Sequence, residues 1–281
     1  KLERFGEFRF IRPEPQAMWQ PRLDVDAWSA DGVFRPEKND TANSDSSGWQ
    51  LSKNLPDSWH MQYQDLRFLV RPTPFRHLGF FPEQAAHWNW CAKKIQQFQQ
   101  KHDHRPKILN LFAYSGLASL HAAAAGAEVT HVDASKKAIA LAFENRHICG
   151  LQDAPIRFIT DDASRFVARE IRRKRTYDGI IMDPPKYGRG PKGEAWRIED
   201  NLRPLLQQAA DLLSDDAIFL LLTIYAIRSS SLAAHYALKD ALQNRHGQID
   251  SGELAILESA LEGQSTRRYI SQANFARWAA Y

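Results

Sequence analysis

Asp183 closes an apolar run and is followed at once by two prolines, a lysine and a tyrosine, and then by a loop rich in glycine and basic residues, in IIMDPPKYGRGPKGE (180–194). Proline has no backbone donor and fixes φ, so Pro184 and Pro185 cannot continue a strand. They hold Asp183 and the carbonyls after it rigid at the strand's carboxyl end. In open α/β sheets that end is where ligands sit. The Asp183 carboxylate and the Pro184 carbonyl can accept hydrogen bonds from a flat, nitrogen-bearing molecule. Tyr187 can pack on its ring, and Lys186 stands between them. An Asp-Pro turn that merely caps a strand is the alternative, and the residues upstream must decide.

Three earlier turns carry further candidates. NLFAYSGLASL (110–120) runs a strand into a tight turn with Gly116 at the mouth of a helix. A glycine there lets backbone approach a ligand, and free helix N–H groups favour an anion. The turn has one glycine rather than GxGxxG, which disfavours a pyrophosphate ligand and with it a nucleotide-dependent oxidoreductase. Asp133 in HVDAS lies about as far beyond that turn as the acid that receives ribose hydroxyls in such folds. Asp162 in TDDAS precedes a helix and could accept from an adenine amine. Helix capping explains either acid taken alone.

The elements that position these turns follow from periodicity. After Pro106, strands at 107–112, 128–133, 156–160, 177–183 and 217–223 alternate with helices at 116–125, 135–149, 163–174 and 199–213. A helix at 229–244 and two final strands, 252–259 and 274–281, complete the series. Such alternation predicts a mostly parallel sheet with helices on both faces. Leu202, Leu205, Leu206, Ala209, Leu212 and Leu213 fall on one helical stripe. A helix over 83–100 would bury Ala86, Trp90, Ile95 and Phe98. From Phe5 to Pro74 the chain reads as short extended runs, EFRFIRP, AMWQP, GVFRPE, GWQLSK and MQYQDLRFLVRP, with a polar loop at 38–48. The expected organisation is a small β-rich domain (1–75), a connecting loop and helix (76–105) and an α/β domain (106–281).

Composition bounds the function. The 281 residues are 43% hydrophobic with a net charge of +4, and the pI is about 9.0. No apolar run approaches the ~18 residues of a membrane span, so the sequence predicts a soluble, cytoplasmic protein. Cys91 and Cys149 make no metal spacing and no disulfide framework. The first residue is Lys1, so a segment upstream is possible.

Together the four strand ends resemble class I S-adenosylmethionine-dependent methyltransferases, and in particular the bacterial 23S rRNA methyltransferases that modify cytosine or guanine. NLFAYSG (110–116) is similar to that family's NLFxYTG, VD at Asp133 to its ribose-binding acid, DA at Asp162–Ala163 to its adenine contact, and DPPK with an aromatic to its target pocket. HLGFFPEQAAHW (77–88) is similar to a glycine, aromatic and Asp/Glu-Gln element that helps close the cofactor site. The resemblance implies a Rossmann-like seven-stranded sheet that binds S-adenosylmethionine through Phe81, Gln84, Asn110, Phe112, Tyr114, Ser115, Gly116, Asp133, Ala134, Asp162, Ala163 and Asp183. It implies Asp183, Pro184, Lys186 and Tyr187 as the catalytic set. It covers 75–281 well and the N-terminal part with less specificity.

There is one departure. Family members that methylate cytosine C5 need a cysteine after the fifth strand. LLTIYAIRSSS (221–231) has none. Both cysteines read as buried structural thiols, which leaves direct attack by a nitrogen or an oxygen. Arg165, Arg169, Arg172, Arg173, Lys174 and Arg175 read mainly as a solvated helix face. Lys186, Arg189, Lys192 and Arg197 follow the target motif directly and could guide RNA phosphates. Arg71, Arg76 and His77 could extend that face. The alternatives are a methyltransferase of a small nitrogen heterocycle and a non-catalytic nucleic-acid-binding module with a degenerate cofactor site.

Overall fold

A computed structural model describes residues 1–35, 48–225, 230–259 and 267–280. Of the polar loop read at 38–48 only Gly48 is among them, and residues 226–229, which include the predicted helix start, lie outside. The chain forms two compact units, Lys1–Phe81 with Glu258–Ile270, and Pro82–Leu257 with Ser271–Tyr281.

In the first unit β1 (Leu2–Phe5), β2 (Phe8–Ile11), β3 (Gly32–Phe34) and β4 (Trp49–Leu51) form a sheet in that order. β5 (Trp59–Tyr63) and β6 (Leu66–Val70) form an antiparallel hairpin, so MQYQDLRFLVRP turns back on itself rather than running as one strand. Aromatics make the core: Phe10 stacks on Trp59 at 5.6 Å and meets Trp49 edge-on, while Phe80 meets Phe5 and Phe68. AMWQP is not a strand. Pro13, Pro15 and Pro21 around it withhold ladder donors, and Met18 is 91% exposed. Arg268 binds Glu258 with two nitrogens and donates to the Gln20 carbonyl, which ties Glu258 and Arg268 to this unit.

The second unit opens with a 3-10 turn, Pro82–Gln84, and α1 (Ala85–Gln99). There follow β7 (Lys107–Leu111), α2 (Leu117–Ala124), β8 (Glu128–Asp133), α3 (Lys136–Ile148), β9 (Ile156–Thr160), α4 (Ala163–Arg172) and β10 (Gly179–Met182). A short hairpin of β11 (Tyr187–Arg189) and β12 (Ala195–Arg197) leads to α5 (Ile198–Asp211), β13 (Phe219–Ile224), α6 (Ser231–Ala241), β14 (Gln248–Leu257) and β15 (Tyr269–Ala279). The sheet order is β14-β15-β13-β10-β7-β8-β9, parallel from β13 to β9 with β15 antiparallel to β13. This is the expected seven-stranded sheet. α1 packs on α2 and α2 on α3, whereas α4 packs on α5 and α5 on α6, giving two helical layers.

Buried parallel strands are apolar throughout, and Ile108, Leu109, Leu111, Ile180, Met182, Leu220 and Leu222 are sealed from solvent. Two sequence readings need correction. The buried face of α1 is His87, Trp88, Cys91, Ile95 and Phe98, and Ala86 faces outward, because Trp88 stacks on His121 of α2 at 4.9 Å. The glycine-rich stretch after Asp183 is a paired hairpin, anchored where the buried Trp196 ring donates to the Pro185 carbonyl at 2.6 Å. Among the described residues no helix is long and apolar enough to cross a membrane.

Candidate active site

The strand order reverses between β7 and β10. β8 and β9 are added on one side and β13 on the other, so the carboxyl ends of β7 and β10 flank the switch point where open α/β sheets bind ligands. Gly116 follows β7, and Asp133, Asp162 and Asp183 stand at or just past the ends of β8, β9 and β10. Four neighbouring strand ends span roughly 14 Å at ~4.8 Å per strand. That suits an elongated ligand lying across them.

The turn after β7 is built from backbone that L-residues seldom adopt. Phe112 and Tyr114 have φ of 57° and 45°, and Gly116 has 85°. A Cβ on Gly116 would sit 2.8 Å from the Ala142 Cβ of α3, so helix packing as well as φ demands glycine. The turn is stitched to β8: the Tyr114 N–H donates to Asp133 Oδ2 at 2.9 Å, and the Ala113 N–H to the Val132 carbonyl. Beneath it Asn110 is buried, its amide donating to Ser119 Oγ at 2.9 Å. That hydroxyl lies 3.0 Å from His131 Nδ1. Burial holds His131 down to about 3, so it braces the turn as a neutral ring. Ser115 is buried, with its carbonyl taken by Asn145.

Asp133 accepts from Ser135 N at 2.8 Å as well as from Tyr114 N. Burial raises its pKa and these two donors oppose the rise. Each oxygen keeps a second lone pair. Ala134 follows it, half-buried. Asp162 is buried and caps α4 through Arg165 N at 3.0 Å, with Ala163 buried behind it. The capping reading of Asp162 is therefore correct as far as one oxygen goes.

The Asp183 carboxyl is the most perturbed acid of the site. Burial, and after it the Glu83 charge, push its pKa up to about 8, although the Gln84 amide donates to Oδ2 at 3.0 Å. Its Oδ1 is buried with no hydrogen-bond partner among the described residues. Tyr225, just past β13, completes the cluster: burial and then the charges of Asp183 and Glu83 push its phenol up. Sequence reading missed Glu83 and Tyr225. FPEQ pointed to Gln84 while its neighbour was passed over, and 221–231 was read only for a missing cysteine.

Pro184 is buried, Tyr187 is 58% exposed at the base of the hairpin, and Lys186 Nζ lies 5.2 Å from the Tyr187 ring. The Phe112 ring meets Trp196 at 4.9 Å, joining the first turn to the hairpin. Arg189, Lys192 and Arg197 are exposed on that hairpin. Glu194, held down to about 2 chiefly by its bond with Arg165, fastens it to α4. Phe81 belongs to the first unit, its ring 5.1 Å from His77. Cys91 is buried, and burial pushes its thiol far above the usual range. Cys149 is half-buried at the end of α3, not buried as the sequence suggested.

Comparison with known proteins agrees with the fold. A family described as conserved hypothetical protein 95 matches residues 84–220. A crystal structure of an S-adenosylmethionine-dependent methyltransferase from Agrobacterium tumefaciens is 43% identical over 100% of this chain and 87% of its own, with a TM-score of 0.90. The chain belongs to the S-adenosylmethionine-dependent methyltransferases. Among curated methyltransferases, ribosomal RNA large subunit methyltransferase K/L of Magnetococcus marinus is 31% identical over 158 residues, 55% of this chain and 20% of its own length. The protein of the same name from Shewanella frigidimarina is 37% identical over 109 residues, 38% of this chain and 15% of its own length. The chain thus spans a fifth or less of these two methyltransferases.

Proposed function

We propose that the protein transfers a methyl group from S-adenosylmethionine to a nitrogen of an RNA base, with cytoplasmic ribosomal RNA as the substrate class, by direct attack without a covalent enzyme intermediate. The observation that carries this reading is the buried Asp183 Oδ1 at the switch point, without a partner among the described residues, beside the Pro184 carbonyl and an exposed Tyr187 ring. The names of the curated relatives support RNA as the acceptor.

The residues fit the cofactor. Asp133 has lone pairs for ribose hydroxyls, and Asp162 with Ala163 lies where an adenine would be read. The strained turn through Phe112, Tyr114, Ser115 and Gly116 leaves backbone open to close approach, and Gln84 steadies Asp183. S-adenosylmethionine supplies a methyl group on a cationic sulfur. Asp183 and the Pro184 carbonyl orient the acceptor amine, Tyr187 stacks on its ring, and Asp183 takes the proton that the nitrogen releases as the new C–N bond forms. The buried thiol of Cys91 has no part in this.

Two charge-assisted hydrogen bonds at ~1.5–3 kcal/mol each mean that Asp133→Ala should weaken S-adenosylmethionine binding about tenfold or more by calorimetry. Unchanged affinity removes Asp133 from the site, and tighter binding of NAD than of S-adenosylmethionine overturns the reading. For the substrate, each lysine or arginine lost from a phosphate contact lowers the log–log salt slope of RNA affinity by ~0.7–0.9. Arg189→Gln with Lys192→Gln should flatten that slope while cofactor affinity stays unchanged. A wild-type protein with no salt-dependent affinity for ribosomal RNA would point instead to a small nitrogen heterocycle.

A further inference from the structure

At the amino-terminal ends of the parallel strands, across the sheet from Asp183, lies a concavity of about 370 Å³. It is lined by Lys107 at the start of β7, Arg157 in β9, and Lys174, Arg175 and Thr176 in the loop from α4 to β10, with Glu128, Thr130 and Tyr177. Its cations come from three separate elements and all four are exposed. Among the described residues, Lys107, Lys174 and Arg175 form no ion pair.

The acids beneath are already engaged. Glu170 is fully buried and holds the Tyr177 hydroxyl at 2.8 Å, with Arg157 and Arg173 at 3.6 and 3.3 Å. Asp178 accepts from Lys107 N at 2.7 Å and from Ser214 Oγ at 2.6 Å. Glu128 is the acid left on the rim. A basic run at a helix end has an ordinary explanation, the partial negative charge of about half a unit at the α4 carboxyl terminus. Arg169 and Arg172 already occupy that last turn, and Lys107 and Arg157 are not on the helix at all. The dipole therefore leaves the convergence unexplained.

The ion pairs along α4 sharpen the contrast. Arg165, in the first turn, is bonded to Glu194, and Arg169, in the last turn, reaches Asp161. Among the described residues Lys174 and Arg175, beyond the carboxyl end of that helix, have no such acid.

We infer that this basin is a second phosphate-binding site, holding the RNA backbone at a point remote from the methylated base. The proposal rests on the RNA reading above and extends it. The hydroxyl of the exposed Thr176 adds a neutral donor of the kind that fixes a phosphate in place. Binding at two points about a sheet's length apart would make the enzyme read a folded segment rather than an isolated strand.

The test is Lys174→Asn combined with Arg175→Gln, set beside wild type and the Arg189, Lys192 variant, in titrations with a ribosomal RNA fragment across salt concentrations. Lys174 has a φ of 53°, so asparagine suits its backbone. The expected result is a salt slope lower by ~1.5 and a KM for RNA raised about tenfold, with kcat and S-adenosylmethionine affinity unchanged. An unchanged slope in a variant of normal fold, beside a steep wild-type slope, overturns the basin and leaves the RNA reading standing. A flat wild-type slope overturns the RNA reading itself. Calorimetry with inorganic phosphate separates the two sources of the ligand. Saturable phosphate binding lost in the variant, with RNA affinity unmoved, assigns the basin to a free phosphate and also overturns the proposal.

Discussion

Asp183→Asn should abolish turnover while leaving S-adenosylmethionine affinity within a few-fold of wild type. Asparagine preserves shape and the bond to one neighbour, but it cannot take a proton, and positioned proton transfer contributes ~10²–10⁴-fold. The same substitution should raise stability, in a pH-dependent way. The folded-state pKa is raised to about 8 from an ordinary value of 3.8, so between these limits the native state binds more protons than the unfolded chain. Stability contributed at this site therefore falls as pH rises from about 4 to about 8 and is level above that. Asparagine removes the dependence, so the gain over wild type should be larger at pH 8 than at pH 5. Each kcal/mol of relief should appear as ~2–4 °C in melting temperature. In wild type, kcat/KM should climb with pH toward about 8, as the carboxyl of the free enzyme ionises. A variant that still turns over, or a flat pH profile between 6 and 8.5, sinks the assignment of Asp183 as proton acceptor.

The sheet was legible because its code is local. β8 and β9 carry unbroken β-rich runs bounded by turn residues, and their predicted limits match the structure. The site was legible for a related reason: in a parallel sheet, whatever follows a strand lies at the same edge, so four turns far apart in sequence converge without any contact having to be known. The rest depended on tertiary packing. Glu83 and Tyr225 meet Asp183 from segments about 100 and 40 residues away, and no periodicity announces that. The α1 face was misread because Trp88 has a stacking partner in His121, which lies beyond any helical pattern. The β11–β12 hairpin was missed because its strands are three residues each and Trp196, which pins them, acts through a side-chain bond to Pro185. The basic run of α4 looked uniform in sequence, and only the ion-pair map separates Arg165, Arg169 and Arg173, which have acids, from Lys174 and Arg175.

Gly116→Ala should show how closely the first turn is specified. A left-handed φ costs a Cβ-bearing residue ~1–2 kcal/mol, and overpacking against α3 costs ~1–3 kcal/mol more, because the new Cβ would meet Ala142 Cβ at 2.8 Å and its Cα at 3.3 Å. A loss of roughly 2–5 kcal/mol follows, or about 5–15 °C in melting temperature. Shifting the turn also displaces the Tyr114 N–H from Asp133, so cofactor affinity should drop tenfold or more. The two costs can be separated with Ala142→Gly. It costs ~1 kcal/mol alone as a helix glycine, but in the double variant it should return the packing part while leaving the φ part, a coupling of ~1–3 kcal/mol. Additive effects would mean that α3 yields freely and that the φ of 85° alone demands glycine. Wild-type stability together with wild-type cofactor affinity in Gly116→Ala would show that the turn is not built around this residue. The αL positions at Phe112 and Tyr114 would then need another cause, since a strained backbone persists only where its surroundings over-determine it.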